Sequence, residues 1–210
     1  MENLKLIFWI AVFIFAIYKI VSNLKKAFSK KKTSSIAKET ILDDGTKRIE
    51  VAHNYTIQVP SYMVATRDLN DNAEIQYKNE LRETYLIISR EPVSEFIATQ
   101  KEQGNYDLKY TSLENYKTIQ HIAFIKTMEV IEEFTNQTNL DEASGSGSIT
   151  IGFNARVEGI DDPLTYLMKF IEKEGHLYLI LLWTLKAHFE EYKEEFERIQ
   201  NSFKIIPLLQ

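Results

Sequence analysis

The sequence predicts an α+β fold, an antiparallel sheet with helices packed on it, preceded by one N-terminal transmembrane helix. Three observations predict this. Ser148–Phe203 reads as three strands and a helix in unbroken succession. Shorter alternating runs and two helical patterns lie upstream of it. Leu6–Tyr18 is an uninterrupted apolar run near the N-terminus.

Leu4–Leu24 is long enough to span a bilayer if Lys5 and Lys19 snorkel toward the headgroups. A cleaved signal peptide would need a small-x-small site, and Lys19-Ile20-Val21-Ser22-Asn23 supplies none. Residues 1–24 are therefore read as the anchor. After it come Lys25, Lys26, Lys30, Lys31, Lys32 and Lys38, against Lys5 and Glu2 before it. The positive-inside rule then keeps the body in the cytoplasm, with the exported side as the alternative. The Lys run reads as a stop-transfer signal, and Lys25, Lys26, Lys30, Lys31 and Lys32 are also candidate contacts to anionic headgroups. Residues 25–46 read as a basic, polar tether, and 47–206 as the folded body.

Within that body, Arg48–Val51 and Tyr55–Val59 are short alternating strands, the second stopped by Pro60. Ala73–Lys78 and Thr84–Arg90 form another pair. Pro92 opens a helix that runs to Gln103, and Gly104 suits its end. Thr111-Ser112-Leu113-Glu114 has capping-box spacing, so a second helix is expected from Ser112 to about Ile131. Glu132–Gly147 reads as a loop that includes a short strand near Phe134. Ser148–Glu158, Leu164–Glu172 and His176–Leu185 are the strands of a meander, the last apolar on both faces. Phe189, Tyr192, Phe196, Ile199 and Phe203 recur at spacings of 3, 4, 3 and 4, one stripe of a terminal amphipathic helix. A strand apolar on both faces needs cover on both, so this helix is expected to close the core with Phe196 deeply buried.

The run Tyr55-Thr-Ile-Gln-Val-Pro60, the Ala73–Lys78/Thr84–Arg90 pair with Glu91-Pro92, and the meander ending Leu182-Trp-Thr-Leu185 before Asn201-Ser-Phe-Lys204 resemble the PsbP/Mog-type domain family. The likeness spans about residues 47–206. It implies a sandwich fold and, since the better-known members bind other proteins, a scaffold. Bacterial relatives are usually exported or lipid-anchored. This chain departs from them, with no Cys to carry a lipid and a Lys-rich exit from its span.

The chemistry-bearing residues form no catalytic constellation. Absence of Cys excludes disulfides and thiolate metal sites. His53, His121, His176 and His188 lack HExxH or other metal spacing. His188 and Glu191, at i and i+3, could share a ligand, but a solvated helix face explains them better. Ser144-Gly-Ser-Gly-Ser148 lacks the Lys of a phosphate-binding loop and the pattern of a nucleophile elbow. Asn54-Tyr-Thr56 and Asn136-Gln-Thr138 match the glycosylation triplet, which a cytoplasmic body would leave unmodified. No cofactor is expected.

Charge is strongly asymmetric. Residues 1–40 carry eight Lys and two Glu; the remainder carries 17 basic and 28 acidic residues, a net of -11. A body so acidic repels phosphate backbones, so nucleic acid is not an expected partner. The acid is densest on the terminal helix, where Glu190, Glu191, Glu194 and Glu195 are the candidate surface for a basic protein partner. The expected role is a non-catalytic, membrane-tethered interaction module. The alternative is a carrier of a small apolar or lipid ligand in a pocket between the last helix and the sheet.

Overall fold

The structure is a computed structural model and describes residues 37–52, 54–141 and 146–206. The anchor at 1–24 and Lys25, Lys26, Lys30, Lys31 and Lys32 lie outside these residues, as does His53. Among the described residues no helix is long and apolar enough to cross a membrane.

Mixed α+β architecture with antiparallel sheets is what the described chain forms. The strands are β1 (Ala37–Ile41), β2 (Thr46–Val51), β3 (Tyr55–Pro60), β4 (Val64–Ala65), β5 (Ile75–Asn79) and β6 (Thr84–Pro92), then β7 (Met128–Asp141), β8 (Ser146–Val157), β9 (Leu164–Lys173), β10 (His176–Leu185) and β11 (Lys204–Ile205). Helices α1 (Val93–Glu102) and α2 (Ser112–Ile125) follow β6, and α3 (Phe189–Asn201) follows β10 after one 3-10 turn. A seven-stranded sheet has the order β4-β5-β6-β10-β9-β8-β7, and a four-stranded sheet the order β1-β2-β3-β11.

β10 sits mid-sheet between β6 and β9 and shows why its sequence is apolar throughout. Successive side chains alternate faces. Tyr178, Ile180 and Leu182 enter one core with the four-stranded sheet and α3. Leu177, Leu179 and Leu181 enter a second core with Phe96 of α1 and Leu113 and Tyr116 of α2. Each face is covered, so alternation of polar and apolar residues would bury polar groups without partners.

The terminal helix closes the first core as its stripe requires. Phe189, Tyr192, Phe196 and Ile199 are buried, Phe196 at 0% exposure. The helix stops at Asn201, where the Ser202 hydroxyl donates to the Ile199 carbonyl and accepts from the Gln58 N–H, 2.8 Å away. Phe203, the last member of the stripe, therefore lies beyond the helix. It packs on Tyr55 and Tyr178, with ring centroids 4.9 and 5.2 Å away. The capping box at α2 is complete: the Thr111 hydroxyl accepts from the Glu114 N–H, and the Glu114 carboxylate accepts from the Thr111 N–H.

Two expectations need correction. The second helix ends at Ile125, not near Ile131, and the expected loop from Glu132 is instead β7, a 14-residue strand. β7 pairs with β8 along nearly its whole length, with register shifts at Val130/Glu132 and Glu133/Thr135. These bulges break the period-2 signal that would have announced the strand. Gly152 on β8 makes the packing possible: a Cβ there would come within 2.5 Å of the Phe134 ring, which lies 5.3 Å from Phe189. The other correction concerns the tether. Ala37–Ile41 is a strand on the outer edge of the small sheet, paired with β2. All five of its residues are exposed, which is why their composition reads as linker.

Candidate functional site

The acidic helix face is built by the same geometry that buries the stripe. With 3.6 residues per turn, Glu190, Glu191 and Glu194 fall outside the Phe189–Ile199 line and are exposed. None of the three joins an ion pair among the described residues. Glu195 differs: it is half-buried and accepts a hydrogen bond from the Tyr62 hydroxyl. The Tyr62 ring in turn lies 4.3 Å beneath the Arg82 guanidinium. Glu195 therefore joins helix to body, and the free acidic surface is Glu190, Glu191 and Glu194.

The histidines disperse. His188 faces Glu83 at 3.5 Å, not a ligand shared with Glu191. His176 places Nδ1 3.0 Å from the Glu174 carbonyl at the β9–β10 turn. His121 is buried beside Phe153, and burial lowers its pKa. Among the described residues no group of three or more His, Asp or Glu is placed to hold a metal ion.

A second surface had no counterpart in the sequence reading. On the face of the large sheet that carries α3, Phe189 at the start of the helix packs against Phe134 of β7, while beyond the helix C-terminus the outer strands are less covered. The result is an open groove of about 590 Å³ between these strands and the segment after α3. Asn139 of β7, Ser148 of β8 and Ile171 of β9 lie in register across its floor. Lys169, Lys173 and Lys204 line it, with Phe203 alongside. Lys169 is half-buried and places Nζ 3.1 Å from the Asn201 amide oxygen; burial lowers its pKa. Glu172 also borders the groove, but its carboxylate is held by the Ser112 hydroxyl of α2, at 2.7 and 2.8 Å, on the opposite face.

Comparison with known proteins places this geometry beside several solved structures. No family model matches the sequence, and no curated protein does. The fold is similar to cyanobacterial PsbP (CyanoP) from Synechocystis sp. PCC 6803, at 14% identity and a TM-score of 0.48, over 85% of this chain and 96% of that one. It is also similar to LpqN, involved in cell envelope biogenesis of Mycobacterium tuberculosis, at 13% identity and a TM-score of 0.43, over 83% and 93% of the two chains. A protein of unknown function from Pseudomonas aeruginosa, PA94, shows 13% identity and a TM-score of 0.40, over 83% and 99%. No residue role is carried over from any of them.

Polar groups elsewhere serve the fold. Glu74 lies 3.3 Å from Arg90 and beside the buried Tyr55 hydroxyl, and burial raises its pKa. Glu39 of β1 accepts from Lys47 at 2.9 Å and from the Tyr77 hydroxyl at 2.7 Å. Glu91 on β6 is pushed up to about 7 by burial and then by Glu95. It lies near Tyr116, which is fully buried.

Proposed function

We propose that this chain is a non-catalytic interaction module, held at a membrane by Leu4–Leu24, and that it offers the outer face of α3 to a basic protein partner. The observation that carries this reading is the division of labour on α3. Its aromatic stripe is used entirely in the core, with Phe189 and Tyr192 each 7% exposed and Phe196 0%. Glu190, Glu191 and Glu194 remain in water and join no ion pair among the described residues. Such a rigid, charged helix face favours fast, salt-sensitive association with a partner of opposite charge. The Lys imbalance across the span supports a cytoplasmic position for the body. The alternative, a carrier of a small apolar ligand, needs room between helix and sheet, and the buried rings of α3 occupy that layer.

The test is site-specific photocrosslinking from position 194 in intact membranes, compared with the triple charge reversal Glu190→Lys, Glu191→Lys and Glu194→Lys. A discrete crosslinked product that disappears on charge reversal, and weakens as salt rises, is the expected outcome. No product, or one indifferent to charge reversal, rules the surface out.

A further inference from the structure

We propose that the groove between β7, β8, β9 and the segment after α3 binds a phosphate group, carried either by a soluble phosphorylated small molecule or by a phospholipid headgroup. The inference is independent of any partner on the acidic face of α3, which lies on a different surface.

The charge of the groove runs against that of the body around it. Outside the first 40 residues the chain carries a net of -11. Yet Lys169, Lys173 and Lys204 line one open depression, and none of them has a carboxylate within ion-pair distance among the described residues. Lys47 pairs with Glu39 and Lys78 with both Asp68 and Glu80, but single lysines such as Lys117 and Lys193 join no ion pair among the described residues either; what sets the groove apart is three such lysines around one depression. Glu172, which borders the groove, has its carboxylate turned to the other face of the sheet, where Ser112 holds it. Lys169 has a neutral amide oxygen for a partner, at 3.1 Å. Burying an ammonium against a neutral acceptor carries a desolvation cost that an anion in the groove would offset.

The donor set selects phosphate over carboxylate. Lysines act as point charges with three rotatable donors each, a match for a tetrahedral, multiply charged anion. The planar fork of Arg, which suits a carboxylate, is missing from the lining. The Asn139 amide and Ser148 hydroxyl lie in register on the floor and can supply neutral donors. Ile171 and Phe203 form an apolar flank for the organic part of the ligand. A volume of about 590 Å³ suits a small molecule or one headgroup, not a macromolecule.

The experiment uses the full chain in phosphatidylcholine nanodiscs. One arm adds glycerol 3-phosphate in solution; the other replaces part of the phosphatidylcholine with phosphatidic acid. Thermal unfolding of the body and equilibrium binding are read for the wild type, for Lys169→Gln/Lys173→Gln, and for Ser148→Asp. The last keeps every lysine and sets a carboxylate on the floor. Binding by the wild type in at least one arm, weakened by about tenfold in both variants, is the expected result. The arm that responds names the source: soluble ester, headgroup, or either. All three proteins share Lys25–Lys32, so the difference between them reads the groove alone. Absence of binding in both arms overturns the proposal. So does binding that either folded variant retains at wild-type strength.

Discussion

Phe196 shows what a single side chain contributes here. It lies mid-stripe on α3 at 0% exposure, with the Tyr192 and Phe189 rings 6.4 and 6.5 Å away. Removing a buried ring forfeits its transfer free energy and leaves a cavity. Phe196→Ala is therefore expected to cost about 3–5 kcal/mol in chemical denaturation. Glu194→Ala, two residues earlier on the solvent face, should change stability by only about 0.5 kcal/mol. Equal effects would mean that α3 does not close the core. Glu91 supplies a different residue-level prediction. Its ordinary carboxyl value of 4.5 is raised to about 7 in the fold, chiefly by burial and then by Glu95. A raised carboxyl means the folded state binds the proton more tightly than the unfolded state. Its contribution is thus most favourable below about pH 4.5, declines as pH rises toward 7, and is flat above that. Glu91→Gln should remove this decline, so the variant gains on the wild type between pH 5 and pH 8. Parallel stability curves over that interval would refute the assignment.

At the scale of elements, one edge of the large sheet and one edge of the small sheet are protected differently. β7 carries Ile131 and Phe134 partly exposed, and its two bulges blunt a long edge against pairing with other chains. β1 guards the edge of the small sheet with charge and with two specific bonds. Lys47 is 7% exposed, and Glu39 of β1 is its ion-pair partner; the Tyr77 hydroxyl donates to the same carboxylate. Cutting β1 away strands a buried ammonium and a buried phenol. A fragment of residues 44–206 should still fold, because Ile49, Val51, Tyr55 and Ile57 keep their core. It should be less stable than a fragment of residues 37–206 by roughly 1–3 kcal/mol, the cost of leaving such groups unsatisfied. Denaturant midpoints of the two fragments measure this; identical midpoints would show that β1 is dispensable.

For the whole molecule, the prediction concerns charge and the N-terminal apolar run. A basic, apolar leader precedes an acidic body. If Leu4–Leu24 spans a bilayer, carbonate washing should leave the full chain in the membrane pellet, because a span is held by burial and not by charge. Release into the supernatant would remove the anchor from the account. Protease added outside intact cells or spheroplasts should then spare the body, following the Lys excess after the span. Digestion without lysis would place the body on the exported side.

The parts legible in sequence are those whose signal is local. Leu164–Glu172 and His176–Leu185 alternate or run apolar without interruption, and the observed strands match them to within a residue. The α3 stripe and the Thr111 capping box are likewise periodic or short-range patterns, set by the pitch of a helix and the reach of one side chain. β7 and β1 were not legible. One is Glu-rich and bulged, and the other is wholly exposed, so what makes them strands is the partner ladder of β8 or β2. Pairing of that kind overrides a weak local preference. The groove lies furthest from anything a sequence shows. Asn139, Ser148, Lys169 and Lys204 come from four separate segments, and Lys169 reads alone as an ordinary strand-surface lysine. Only the sheet register and the return of the chain after α3 set these residues around one space. The sequence by itself determined that an acidic α+β body follows a basic, apolar leader, since composition and periodicity are properties of neighbours along the chain. Where that body exposes unpaired charge was decided by the tertiary structure, because pairing depends on distances between residues far apart in sequence.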